Sequence, residues 1–401
     1  MSSIPILGRW SLNTYFRVGI YFALLLVEQV VRFLVSYTPL ALLVWISNAF
    51  VGWIFSRQSR RQNDGQGPNG KLSDDDIHFQ SLMKCRNVED FANYWGYPLE
   101  THLAITQDVL ALHRIPGPRV RILVKFPTVS NPLSICSTKE EPRSAGLIPS
   151  PDGTPVREAN LDESWNFFAQ HKPSPQKPVV LLWHGFMMCS EVWICHPSRD
   201  RSLAFTLADL GYDVWIANSR GNKYSCKHVS KKPSELSFWD FSMDEIVQFD
   251  VPATVDHILK VTKAEKLSYV GFSQGTAQAF ASLSLNPTLN SKVHVFCALA
   301  PAAQPEGLSA SVVSNFITAS PDVIFLLLGR KRALAMAAFW AEIIPRPIWV
   351  EILNVSMQYL FSWTLQWIDW REKLIYYSHL YSYTSVKTVV HWFQASSRRF
   401  E

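Results

Sequence analysis

Charge is scarce in this 401-residue chain: Asp, Glu, Lys and Arg make up 18% of it, against about a quarter in an ordinary soluble domain. The net charge of +5 is mild and its carriers are scattered. A nucleic-acid partner, which needs a clustered basic face, is therefore not expected. Cysteine is thin as well. Cys85, Cys136, Cys189, Cys195, Cys226 and Cys297 contain no Cys-x-x-Cys pair, which argues against a zinc ribbon or a dense disulfide framework. They read as reduced thiols in a cytosol-facing domain. No phosphate loop and no metal-ligand spacing occurs, so no cofactor is expected. What the chain has instead is apolar bulk: 48% hydrophobic residues, with 15 Trp and 24 Phe.

Some of that bulk is gathered near the N-terminus. Residues 33–55 form a run of 23 without a charge. At about 1.5 Å per residue in a helix, such a run crosses a ~30 Å hydrocarbon core. Val18 to Val31 is also apolar, broken by Glu28, and Arg32 follows four residues later on the same helical face. A charge at mid-membrane costs about 2.5–3.5 kcal/mol, so this pair belongs at an interface. Two geometries follow: a single span over 33–55, or a hairpin of 18–31 and 40–55. Arg57, Arg60 and Arg61 place the next segment on the cytosolic side. The expected organisation is a membrane anchor over 1–56, a polar linker over 57–76, a globular core over 77–300 and a helical cap or lid over 301–401.

Inside the core, Val179–Trp183, Tyr212–Ala217, Leu267–Val270 and Val293–Leu299 read as short buried strands. Helical stretches such as Ser202–Leu210 and Val251–Thr262 separate most of them. This alternation predicts an α/β protein with a doubly wound, mostly parallel sheet. His102–Thr106 and Val109–Ile115 read as a strand pair turning at Gln107-Asp108. Thr128–Gln176, rich in Pro and Ser, reads as an irregular insertion.

The third of the four strands runs into Gly271-Phe272-Ser273-Gln274-Gly275, and a helical segment follows. Strand, G-x-S-x-G and helix in that order form the nucleophile elbow of an α/β-hydrolase, with Ser273 as nucleophile and Gly271 and Gly275 permitting the tight reversal. Acyl transfer also needs donors aimed at the developing oxyanion. One is the N–H of Gln274. The other comes from the loop after Trp183, where Phe186 is the first choice and Met187 the second. A plain strand-ending turn is the competing reading of His184-Gly185. His184 precedes the nucleophile and is not expected to be the base.

Several further blocks are hard to explain by generic folding. They include His184-Gly185, Ser202-Leu203-Ala204-Phe205, Leu210 to Trp215, Asn218-Ser219-Arg220-Gly221-Asn222, Phe238 to Ser242, Asp250 to Thr254 and Ala298 to Pro301. Together with the elbow they resemble the acid lipase and steryl ester hydrolase family, the relatives of gastric and lysosomal acid lipases. The anchored N-terminus is most similar to the fungal steryl ester hydrolase branch. The resemblance implies hydrolysis of neutral-lipid esters by Ser273, with Gln274 and Phe186 as oxyanion donors. It also implies a membrane or lipid-droplet surface as partner, and the endoplasmic reticulum or a lipid droplet as location. Phe272 stands where the family often has His.

In this fold the acid and the base follow the serine. After Ser273 the sequence offers His294, His379, His391, Asp322 and Asp369. His294 alternates within a strand that reads as core, Asp322 reads as a helix cap, and Asp369 lies among cap aromatics. His379 and His391 match cap positions of the family. No triad acid or base is identified, and the last core strands are expected to be missing. Loss of a triad histidine costs a factor of about 10⁶ in kcat in a serine protease. A chain ending at Glu401 is therefore expected to be nearly inactive, and the rival expectation is a non-catalytic lipid-binding or regulatory member of the family.

Overall fold

Val179–Trp183 (β3) and Asp213–Ala217 (β4) are buried at all five positions, as strands covered by helices on both faces must be. The computed structural model describes residues 74–118, 177–303, 320–334, 340–341, 344–361, 363 and 365–397, with isolated helical positions at Gly19, Ala23, Leu26 and Val30. The expected membrane spans and the insertion over 128–176 lie outside the described residues, those four positions apart. Among the described residues no helix is long and apolar enough to cross a membrane.

The other strands are Glu100–Ile105 (β1), Val109–Ile115 (β2), Leu267–Phe272 (β5) and Val293–Leu299 (β6). They form one sheet in the order β1-β2-β4-β3-β5-β6. β1 and β2 form the expected antiparallel pair, and β2 runs antiparallel to β4. β4, β3, β5 and β6 are parallel. Trp183 is level with Ala217 on one side and Gly271 on the other. The loops leaving these three strands therefore start side by side, at the sheet end where open α/β folds bind ligands.

Helices cover the faces. Asp74–Lys84 (α1) begins within the stretch expected to be linker, with Asp74, Asp75 and Asp76 at its positive N-terminal end. Val88–Trp95 (α2) is capped by the Asn87 side chain, which accepts from Asp90 N. Leu203–Asp209 (α3) lies between β3 and β4 in the chain. Val251–Thr262 (α4) buries Val251, Thr254, Val255 and Ile258, one stripe at helical spacing. Gln274–Leu285 (α5) follows the elbow and Pro287–Lys292 (α6) follows it. Four later helices are Pro321–Leu328 (α7), Arg346–Phe361 (α8), Trp370–His379 (α9) and Val386–Ser397 (α10). Ile324 packs with Val386 and Val390, and Val350 packs with Leu374 and Tyr377. All these elements belong to one compact unit, Met1–Val120 with Pro178–Glu401; Arg121–Lys177 form another.

Two sequence expectations are corrected. β6 is not a core strand: none of its residues is buried, and His294, Val295 and Leu299 are exposed. It pairs only with β5 among the described strands. Asp322 is not a cap either. Ser320 holds that position, while Asp322 sits in the first turn of α7, 3.8 Å from Arg330.

Candidate active site

Ser273 has φ 51° and ψ −114°, a conformation L-residues avoid. Such strain costs about 1–3 kcal/mol and persists only where the surroundings enforce it. Here they do. Ser273 N–H donates to Leu299 O at 2.9 Å. Its carbonyl accepts from Thr276 N–H at 2.9 Å and from Thr276 Oγ1 at 2.6 Å. The two glycines are required by contact. A Cβ at Gly271 would lie 2.6 Å from Gly275 O, and one at Gly275 would lie 2.5 Å from Trp183 O and 2.9 Å from His184 O. These neighbours are backbone and cannot rotate away. Gly275→Ala should therefore destabilise the protein by about 2–3 kcal/mol, read as a fall in the urea midpoint at unchanged slope.

The loop after β3 meets the elbow. A Cβ at Gly185 would lie 3.2 Å from Ser273 Cβ and 3.1 Å from the Phe272 ring. Phe272 itself packs edge-on to Trp193. From Gly185 the chain turns, closed by Met188 N–H to Gly185 O at 3.3 Å, with Met187 at φ 54°. Phe186 thus occupies the turn beside the nucleophile, and Gln274 opens α5. Neither main-chain N–H donates a hydrogen bond among the described residues. Gln274 stands at the positive end of the α5 dipole.

His184 is buried and holds this loop. Its Nε2 accepts from Ser219 N–H at 3.0 Å, so the ring proton sits on Nδ1 and donates to Gly185 O at 2.8 Å. Burial pushes its pKa down to about 4. It is a neutral, fixed strut, in keeping with its exclusion as base. Asn218 and Asn222 extend the support: Asn222 donates to Asn218 Oδ1 at 2.9 Å, and Ser190 N–H donates to Asn218 Oδ1 at 3.0 Å. Ser190 Oγ lies 2.9 Å from His113 Nδ1. Next to it Glu191, wholly buried, is bonded by Lys223 Nζ, by Tyr224 OH at 2.5 Å and by Cys189 Sγ at 3.4 Å.

None of the described late titratable residues has a hydrogen bond to Ser273. His294 is exposed on β6. Asp369 caps α9 by accepting from Arg371 N–H at 2.8 Å. His379 is buried edge-on to Phe91 and 3.9 Å from Glu191. His391 is half-buried on α10. The triad acid and base are thus not found among the described residues, nor is a cluster of three or more metal-ligating side chains.

Sequence reasoning overlooked the late residues that touch the site. Trp392 Nε1 donates to Gln274 Oε1 at 2.9 Å, and its ring lies edge-on to Phe186 at 6.5 Å. Ser382 N–H donates to Met187 O at 2.8 Å. Nothing local in the sequence marks these contacts, which span more than a hundred residues.

A strained serine between a parallel strand and a helix, with the loop after β3 against it, defines an α/β-hydrolase. Comparison with known proteins agrees. Residues 88–197 match a partial α/β-hydrolase lipase region and residues 178–321 match the α/β-hydrolase fold. Among similar proteins is a probable lipase of Schizosaccharomyces pombe, 41% identical over 316 residues, which are 78% of this chain and 60% of that one. A second probable lipase of the same yeast is 48% identical over 318 residues, 79% of this chain and 58% of that one. Gastric triacylglycerol lipase of Rattus norvegicus is 31% identical over 316 residues, 77% of this chain and 67% of the lipase. The chain belongs to the acid lipase family. It spans about 60% of the length of the yeast relatives.

Proposed function

We propose that this protein hydrolyses carboxylic esters of neutral lipids, steryl esters and triacylglycerols, through an acyl-enzyme on Ser273. The setting of Ser273 carries the reading: a strained nucleophile position with the Gln274 and Phe186 amides uncommitted beside it. Ser273 Oγ attacks the ester carbonyl, the two amides take up the oxyanion, and the C–O bond to the alcohol breaks. The leaving alcohol takes the proton that Ser273 loses. Water then hydrolyses the acyl-serine, releasing the fatty acid and restoring the hydroxyl. The late helices act as a cap over the acyl or sterol group. Trp363 and Trp367, 53% and 86% exposed, suit contact with a lipid surface. The apolar runs over 18–31 and 33–55 support attachment to a membrane or lipid droplet, with the catalytic domain on the cytosolic side.

A fluorophosphonate probe tests the chemistry. With no triad acid or base among the described residues, the full chain should label at Ser273 far more slowly than a complete serine hydrolase, and Ser273→Ala should abolish that labelling. Turnover of cholesteryl oleate against trioleoylglycerol then separates sterol from glycerol esters. An unlabelled wild-type chain would sink the enzymatic reading and favour a lipid-binding role.

A further inference from the structure

Phe186 and Gln274, the two residues proposed above as oxyanion donors, come from distant parts of the chain, yet one later side chain touches both. Trp392 donates its indole proton to the Gln274 carboxamide and packs its ring on Phe186. It is buried within the same apolar cluster as Trp183 and Tyr269. The helix that carries it is fixed to the core at its start. Ser385 Oγ donates to Phe241 O, and Thr388 N–H donates to Ser385 Oγ at 3.0 Å. Just before this, the chain runs along the turn that bears Phe186. Met188 and Tyr381 form an antiparallel bridge, Ser382 N–H donates to Met187 O, and Lys223 N–H donates to Ser382 Oγ at 2.8 Å.

We propose that Trp392, supported by Ser382, is the positioning residue of the oxyanion site. It holds the Phe186 turn and the first residue of α5 at a fixed separation, so that the site is organised before substrate arrives. The role has a physical reason on each side. The Phe186 turn contains a left-handed Met187, and its outer carbonyl accepts from Ser382 N–H. An unanchored Gln274 carboxamide oxygen is a strong acceptor at the first residue of α5, free to turn toward a nearby donor. Engaging that oxygen with the indole leaves the amides to the oxyanion. Displacing reacting groups by about 1 Å costs a factor near 10² in rate, and loss of one oxyanion donor costs about 10²–10³ in subtilisin. Weakening the clamp should fall somewhat below those limits.

The inference rests on Ser273 being the nucleophile, but its test has an arm independent of chemistry. Hydrogen exchange on the full chain should show peptides over 184–190 and 272–280 exchanging about tenfold faster in Trp392→Phe, which keeps a ring and removes the donor. A peptide over 100–115 should be unchanged. Gln274→Met breaks the same bond from the other end and serves if Trp392→Phe disturbs the control peptide; it should loosen the 184–190 peptide likewise. In the chemical arm, fluorophosphonate labelling should slow about 10–100-fold in each variant, with the double variant no slower than the slower single one. Wild-type exchange in both site peptides, or wild-type labelling in Trp392→Phe, overturns the clamp. A wild-type chain that never labels overturns the hydrolase reading, and exchange alone then decides the clamp.

Discussion

Acidification from pH 7 to pH 4.5 should remove about 5 kcal/mol of stability, as much as the whole margin of many domains. The cause is three buried histidines. Burial, with Lys223 adding, lowers the His113 pKa from 6.5 to about 4. Burial lowers His184 to about 4 against the help of its bond to Gly185. Burial, then Lys223 and Arg346, lowers His379 to about 3. Between pH 6.5 and 4 the unfolded chain binds these protons and the folded chain does not, so stability falls as pH falls. Asp250 works in the opposite sense. Burial raises its pKa from 3.8 to about 6 although Arg220 and its charge pull down, so the folded state takes up a proton the unfolded state does not. Near pH 5 the balance is three protons against one, a slope of about 3 kcal/mol per pH unit. Asp108, shifted up by burial as well, flattens it somewhat. Urea midpoints at pH 7, 6, 5 and 4.5 measure the slope directly. His379→Met should reduce it by about one proton. A stability that stays flat from pH 7 to 5 would contradict the neutral, sealed state of all three rings.

The same histidines show what could be read from the sequence. His184 was legible at the end of a buried strand, where the chain turns before the elbow in a known order. The parallel strands were legible for the same kind of reason: the apolar runs Val179–Trp183 and Val214–Ala217, five and four residues long, need cover on both faces, and β3 and β4 have it. β5 into Ser273 was the clearest element, since few other sequences suit a reversal that leaves no room for a Cβ at Gly271 or Gly275. β6 misled because its composition is that of a covered strand, whereas exposure depends on which elements pair with it. His379 was equally opaque, its seclusion against Phe91 being set by helices far apart in the chain. Trp392 and Ser382 lie among many aromatic and hydroxyl residues, and only the folded chain singles them out.

Arg220→Met should cost about 3–5 kcal/mol, because it strands two carboxylates that no water reaches. Arg220 bonds Asp250 with two nitrogens, at 2.7 and 2.5 Å, and Asp108 with a third at 2.8 Å. All three side chains are buried; Arg220 reaches Asp108 through Oδ2, and Asp108 Oδ1 has no hydrogen-bond partner among the described residues. Asp108 comes from the turn between β1 and β2, and Asp250 from the start of α4. The guanidinium therefore ties the antiparallel end of the sheet to a covering helix. Without it the carboxylates repel each other and lose their counter-charge in a dry site. They can escape by taking up protons, so the penalty should shrink between pH 7 and pH 5.5, opposite to the histidine trend. Replacing all three members with Arg220→Met, Asp108→Asn and Asp250→Asn should recover much of the loss, since the cost lies in the unpaired charges. Unfolding of the single and triple variants at both pH values decides this; a single variant as stable as wild type would mean the triad is hydrated. The consequence reaches the site. Arg220 stands next to Ser219, whose N–H fixes the His184 ring, and His184 in turn holds the carbonyl that starts the Phe186 turn. A chain that loses the Arg220 anchor should loosen the His184–Gly185 turn at the same time as it loses stability, and any labelling of Ser273 should fall before the sheet unfolds.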